Sequence, residues 1–327
     1  MVEAFEKVEV MSDASVRQGK VRDVVDVGNK VALVATDRIS AFDVVMPTLI
    51  PGKGELLSKI SKKWFSHFKD VPSHICTMPS YDFLRHFGPN AFAKVINRCT
   101  VGHKADVIPI EFVVRGYMAG SLWKEYSDKR DRRGGWDPGQ SPDWSRKQSN
   151  RISACGHEFF VADEKKQCEA LNEPIFTPAT KAAPGEHDEN IHFDKADVIC
   201  AEHFGMSNSA ARQLMNELEN LSISIYKKAH QYAMLRGIII ADTKFEFGFV
   251  GNKVVLIDEL LTPDSSRFWL LQDYEIGRDQ DSYDKQILRN YLIESGNRNK
   301  AVELPDEIVQ KIVDRYQDIY DRLFGEV

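Results

Sequence analysis

Between positions 242 and 267 the chain sets acidic and basic side chains at spacings suited to phosphate chemistry. Asp242, Lys244 and Glu246 alternate with Thr243, Phe245 and Phe247 after a buried-looking run, Ile238-Ile239-Ile240. Successive side chains of a strand point to opposite faces, so the three charged groups should share one face while the aromatics enter a core. Gly251-Asn252 reads as a hairpin turn and Val254–Ile257 as the return strand, which ends in Asp258-Glu259. Register then decides what the acids can do. A strict two-residue loop puts Asp258 opposite Phe245 and away from Glu246, whereas a three-residue loop or a bulge at Gly248 brings it beside Glu246. The slipped register is the expectation, because two facing carboxylates repel unless a cation lies between them. Magnesium carried on a phosphate is the usual occupant. A solvated charged face is the bland alternative for any strand. The nearby Pro263-Asp264-Ser265-Ser266-Arg267 argues against it here.

Three other stretches carry chemistry. Val107–Val114 reads as a core strand with Glu111, Val113 and Arg115 on one face, followed by Gly116-Tyr117-Met118-Ala119-Gly120-Ser121. A guanidinium fork at a strand end beside small residues suits an anion; pairing of Arg115 with Glu111 or Asp106 is an equally good local reading. Gly19-Lys20-Val21-Arg22 suits a loop over nucleotide phosphates, although it matches neither common phosphate-loop signature and would alone be read as a basic hairpin. Phe176–Asn190 is polar and proline-rich, with Lys181, His187 and Asp188 able to hold the two ends of an amino acid in a lid.

The elements that must position these groups follow from periodicity. Val21–Val27 and Val31–Ala35 flank a second Gly-Asn turn. Leu56–Phe68 has the spacing of a helix with one buried face, and Ser207–Arg236 that of a long helix stopped at Gly237. An amphipathic helix introduced by Pro305 closes the chain. Residues 127–172 show no sustained period and read as an irregular insertion. The chain has 327 residues, a formal charge of -6 and five scattered cysteines. That balance argues against a nucleic-acid binder, and the cysteine pattern fits reduced thiols. MVEAFEKVEV lacks the apolar core of a signal peptide and no run reaches membrane-spanning length, so a cytoplasmic protein without a membrane partner is expected.

The segments GKVRD (19–23), ATDRISAFDVVMP (35–47), IPIEFVVRGYMAGS (108–121), FTPATKAAPGEHDEN (176–190), IIIADTKFEFG (238–248) and IDELLTPDSSRFW (257–269) together resemble the SAICAR synthetase family, in its longer, yeast-like branch. The stretch 129–169 departs from the family pattern. The resemblance implies a two-lobed α+β fold similar to kinases and ATP-grasp enzymes: a small antiparallel β lobe over 1–105, and a larger α+β lobe over 106–327 ending in helices. It implies an ATP-dependent ligase of purine biosynthesis that joins L-aspartate to a carboxyaminoimidazole ribonucleotide through an acyl phosphate, as a monomer or small homo-oligomer. Glu246 and Asp258 would hold magnesium with ATP, and Gly19, Lys20 and Arg22 would face the phosphates. Arg115, Ser121 and Arg267 would take the ribonucleotide 5′-phosphate and Asp264 its ribose. Lys244 would steady the transferring group, Asp242 would orient an amine, and Lys181, His187 and Asp188 would lie near aspartate. A small-molecule kinase and a non-catalytic nucleotide-binding module are the rival readings.

Overall fold

A computed structural model describes residues 4–11, 14–76, 86–87, 89–134, 151–181, 188–283 and 285–325. The first part of the chain runs β1 (Ser15–Gln18), β2 (Arg22–Val27), β3 (Lys30–Ala35), β4 (Ser40–Ala41), β5 (Val44–Val45), α1 (Lys53–His67), α2 (Pro89–Val95) and β6 (Cys99–His103). Four of these strands form an antiparallel sheet in the order β1-β2-β3-β6. Alternation divides its faces. Val25, Ala32 and Val34 pack into a small core with Phe5 and Phe87, and Val24, Val31 and Leu33 are left on the opposite face.

The second part runs β7 (Asp106–Val107), β8 (Ile110–Tyr117), α3 (Gly120–Gly134), β9 (Arg151–Ala154), β10 (His157–Phe160), β11 (Ala170–Phe176) and β12 (Ala179–Thr180). After these come α4 (Phe193–Phe204), α5 (Asn208–Met234), β13 (Ile238–Val250), β14 (Lys253–Ile257), β15 (Ser266–Leu270), α6 (Gln286–Glu294) and α7 (Asp306–Phe324). The stretch expected to be irregular from residue 127 therefore begins as helix and later forms the β9–β10 hairpin. Residues 135–150 lie outside the described ones.

A seven-stranded antiparallel sheet is built around β13, which meets β15 and β8 along its first half and β14 and β7 along its second. One face carries Ile110, Phe112, Val114, Phe245 and Phe247 against α4 and α5. Each of these side chains is fully buried, and truncating one such aromatic costs about 3–5 kcal/mol. Helix α5 starts as its sequence dictates, with the Ser207 hydroxyl accepting from the Ala210 amide.

Register holds two surprises. The β13–β14 ladder pairs Val250 with Lys253 and Glu246 with Ile257 without interruption, so the loop is the strict two-residue one and the expected slip at Gly248 does not occur. Gly248 serves another purpose: a Cβ there would lie 2.8 Å from the Asp106 carbonyl oxygen, so glycine lets β7 approach. The irregularity lies at the other end of the strand, between Ile240 and Asp242, where the β15 partner advances by one residue for two on β13. Ile238 and Ile240 point into the same core as Phe245 and Phe247, so the extra residue switches parity and delivers Asp242, Lys244 and Glu246 to the open face.

The two sheets are sewn together by Ser73–Ile75. The His74 amide donates to the Leu256 carbonyl (2.9 Å), and Ile75 bridges to Gly102 of β6. Helices α1, α6 and α7 share a further apolar cluster through Leu56, Leu57, Leu288, Leu292, Ile312 and Tyr316. Among the described residues no helix is long and apolar enough to cross a membrane.

Candidate active site

The open face of β13 carries two adjoining pockets. The larger, about 480 Å³, lies between the four-stranded and seven-stranded sheets. Val24, Val31 and Leu33 form one wall and Val107 and Ile257 the other, while His103-Lys104-Ala105, the crossing between the sheets, closes one side. Its polar end holds Glu246, Asp258 and Lys181. Arg17, Asp26 and Lys104 line it as well, and a slot with apolar walls and charged groups around them suits a nucleotide.

Asp258 reaches this pocket by a route that the ladder alone would forbid. The strand ends at Ile257, and Asp258 takes a left-handed conformation (φ 63°) that re-aims its side chain. A non-glycine residue there costs roughly 1 kcal/mol, a small strain of the kind found at functional sites. Asp258 and Glu246 line the same pocket, and the expected cause of their approach, a shifted register, is corrected.

The acids are neutralised by lysine and arginine. Glu246 accepts from Lys244 (2.9 Å) and from Lys181, and Lys244 also donates to Glu111 (2.6 Å). Burial opposes ionisation of Glu246, but the two ammonium groups outweigh it and hold its carboxyl well below the usual range. Burial likewise opposes the charge on Lys244, and Glu246 and Glu111 overcome it and raise its pKa. Glu111 itself is shifted upward by burial, against Lys244. Arg22 grips both Asp258 and Glu259. Expected at the phosphates, it thus lies on the carboxylates themselves and does not line the larger pocket. Lys20, also expected at the phosphates, pairs with Asp43 at the surface, and neither it nor Gly19 lines the pocket. Lys181 lines the larger pocket and pairs with Glu246, Asp188 is exposed, and His187 lies outside the described residues.

The second pocket, about 230 Å³, is lined by Arg115, Ser121, Asp242, Lys244, Asp264 and Arg267, together with Lys285 and Arg289. Arg115 is anchored at three points: Thr177 Oγ1 (2.8 Å), Ser121 Oγ (2.8 Å) and Asp242 Oδ2 (3.1 Å). Its partner is thus Asp242 and neither Glu111 nor Asp106. The Arg267 guanidinium bonds the same Asp242 oxygen, so the carboxylate expected to orient an amine instead fixes two guanidinium groups. Arg267 also lies over the start of α3, where Gly120 has φ 58° and a Cβ would fall 2.6 Å from Arg267 Nη1. Only glycine meets both conditions. Asp264, expected at a ribose, lines this pocket and is also held from behind. Its side chain is 2 % exposed, with Oδ2 on Lys53 (2.8 Å) and Oδ1 on Tyr316 (2.9 Å).

Sequence reasoning missed Lys285 and Arg289, whose only signal was a pair of cations four apart at the head of a short helix. It also missed Glu111, read as a pairing partner for Arg115, and His74, whose side chain is buried in the wall of the larger pocket.

Among the described residues no cluster of three His, Cys, Asp or Glu side chains could cage a metal ion. Glu246 and Asp258 offer hard oxygen donors at the polar end of the larger pocket. That donor set fits a magnesium ion arriving on phosphates, which usually takes one or two carboxylates and keeps waters.

Residues 15–304 match the family model described as SAICAR synthetase. The phosphoribosylaminoimidazole-succinocarboxamide synthase of Desulfosudis oleivorans is 42% identical over 312 residues, covering 94% of each chain. That of Candida maltosa is 40% identical over 313 residues, covering 95% of this chain and 94% of its own. The solved SAICAR synthase of Saccharomyces cerevisiae, complexed with SAICAR, superposes with a TM-score of 0.81 at 35% identity over 99% of both chains. The bulged strand, the two carboxylates at one pocket end and the guanidinium pocket beside them thus sit in a chain matched along nearly its whole length, and this chain belongs to the SAICAR synthetase family.

Proposed function

We propose that this protein is the ATP-dependent ligase that joins L-aspartate to a carboxyaminoimidazole ribonucleotide, yielding the succinocarboxamide, ADP and phosphate. One observation carries the reading: Lys244 of the cation-rich pocket touches Glu246 of the larger pocket at 2.9 Å, so a phosphoryl donor and acceptor bound there would meet along a single strand. The apolar slot would take the adenosine of ATP. Its phosphates would point toward Glu246 and Asp258, and the ribonucleotide 5′-phosphate would lie among Arg115, Ser121, Arg267, Lys285 and Arg289.

A carboxylate is a poor electrophile, so one of its oxygens first attacks the γ-phosphorus and ADP leaves. The aspartate amine then attacks the acyl phosphate carbon, expelling phosphate and losing a proton. Phosphoryl transfer of this kind is catalysed by positioning and by charge more than by covalent help. Lys244, kept protonated by Glu111 and Glu246, would sit beside the transferring group. Asp242 holds Arg115 and Arg267 through one oxygen, and Lys181 and Asp188 would lie near aspartate. Magnesium held by Glu246 and Asp258 would neutralise charge on the phosphates when bound; Arg22 would then have to release Asp258. We place the nucleotide-clamping lobe at 1–105 and the substrate lobe at 106–327, working in the cytoplasm.

The test is ADP release measured with ATP, the ribonucleotide and a panel of amino acids, with the product weighed by mass spectrometry. Release dependent on aspartate together with an amide product supports the ligase. A phosphorylated product formed without aspartate would make the protein a small-molecule kinase instead.

A further inference from the structure

We propose that Lys53 and Tyr316 are positioning residues for the ribonucleotide pocket, acting through Asp264; this rests on assigning that pocket to the ribonucleotide. Thr262-Pro263-Asp264-Ser265 forms a tight turn in which the Ser265 amide donates to the Thr262 carbonyl (3.0 Å) and the Thr262 amide to Ser265 Oγ (3.1 Å). The turn leads directly into Ser266 and Arg267, and Pro263, Asp264 and Ser265 line the pocket. Its aspartate is held from outside by two distant parts of the chain. Lys53 Nζ, on the first residue of α1, donates to Oδ2, and the Tyr316 hydroxyl, on α7, donates to Oδ1.

Both supports are themselves fixed. The start of α1 is tied by Asp37, which accepts from the amides of Gly54 (2.9 Å) and Gly52 (3.3 Å) and from Arg98 Nη1 (2.8 Å). Tyr316 is 1% exposed and packs in the cluster that joins α1 to α7. Lys53, also 1% exposed, would be a costly buried ammonium without its carboxylate partner. A second cation, Lys285, lies 3.7 Å from Asp264 Oδ1 and lines the pocket. The Tyr316 hydroxyl and Lys285 thus approach the same oxygen. Removing the hydroxyl lets the carboxylate turn toward Lys285, moving both the turn and a pocket cation. Support of this sort sets the precision of a binding site more than its existence.

The experiment compares Tyr316→Phe, Lys53→Met and Asp264→Asn with Arg115→Ala in steady-state kinetics, varying each substrate in turn, with urea unfolding of every variant. Tyr316→Phe removes one oxygen and should fold. It is expected to raise KM for the ribonucleotide about tenfold, the scale of one hydrogen bond to a charged group, with KM for ATP and kcat within about twofold. Tyr316→Phe combined with Asp264→Asn is expected to be no worse than Asp264→Asn alone, since both act through one carboxylate. An unchanged ribonucleotide KM in Tyr316→Phe, while Arg115→Ala raises it, overturns the inference and leaves the pocket assignment standing. An equal rise in both KM values overturns it as well, because a merely loosened fold does not choose between substrates. No effect of Arg115→Ala on the ribonucleotide would instead remove the pocket assignment, and the inference with it.

Discussion

Lys244 donates to Glu246 across 2.9 Å, and each residue lines a different pocket. The ammonium is shared with Glu111, so its charge is fixed in position before substrate arrives. Lys244→Met is therefore expected to lower kcat by about 10²–10³-fold, the range found when one preorganised charge at a reacting group is removed. Single-turnover ADP formation at saturating substrates measures it. A fall in substrate affinity with kcat unchanged would make Lys244 a binding group only.

Asp258→Asn and Glu246→Gln are each expected to abolish turnover, with far-ultraviolet circular dichroism unchanged. Either amide keeps the shape and removes the negative charge that a phosphate-bound cation requires. The variants should differ in stability. Glu246 is the partner of two lysines, so its amide leaves Lys244 and Lys181 less well paired and costs about 1–3 kcal/mol. Asp258 is paired with Arg22, which retains Glu259, and its loss should cost less. Near-normal activity in either variant would remove the carboxylates from the metal role.

Arg115→Ala separates the two pockets. Its guanidinium is buried and held by Thr177, Ser121 and Asp242, which points it at one place. The ribonucleotide KM is expected to rise about a hundredfold, the scale of a two-pronged guanidinium–phosphate hydrogen bond, while KM for ATP changes less than about threefold. Asp242→Asn should move in the same direction, because that carboxylate aligns both Arg115 and Arg267. Equal loss of both substrates would place the phosphate elsewhere.

The amphipathic helices, the β13–β14 hairpin and the identity of most charged groups were legible from period and turn residues, because each depends on local sequence. The aim of those groups was not. Asp258 is placed by one left-handed residue after a regular strand, and Asp242 by a bulge at Ala241 that no glycine announces. Arg22 and Asp264 have the expected residue types for a site but are satisfied by Asp258, Lys53 and Tyr316, partners tens to hundreds of positions away. Long-range pairing of this kind depends on how α1 and α7 pack, which a pattern of spacings does not encode.

Gly248→Ala tests the reason for glycine near the end of the central strand. A methyl group there would meet the Asp106 carbonyl oxygen at 2.8 Å, and that oxygen belongs to β7, at the crossing between the two sheets. Overpacking of this sort costs about 1–3 kcal/mol, read as a lower urea midpoint with unchanged m-value. Because Ala105 and Val107 line the nucleotide pocket, KM for ATP should rise more than KM for the ribonucleotide. Unchanged stability would mean that β7 moves aside freely.

Acid stability should report the Glu246 ion pairs. Burial alone would raise its pKa, yet Lys244 and Lys181 bring the folded value below the ordinary 4.5. A carboxyl depressed on folding contributes stability that is fully present above its unfolded pKa and is lost as pH falls toward the folded value. Asp264 shifts in the same sense, whereas Glu111, raised by burial, acts with opposite sign. The protein is therefore compared with Glu246→Gln, in which both of those groups remain. The stability advantage over the variant should be constant from about pH 7 to 5 and shrink between about pH 5 and 3, by no more than about 1.4 kcal/mol per pH unit for one proton. Urea unfolding at each pH measures it. An advantage that stays level or widens on acidification would mean that the two lysines do not stabilise the ionised carboxylate.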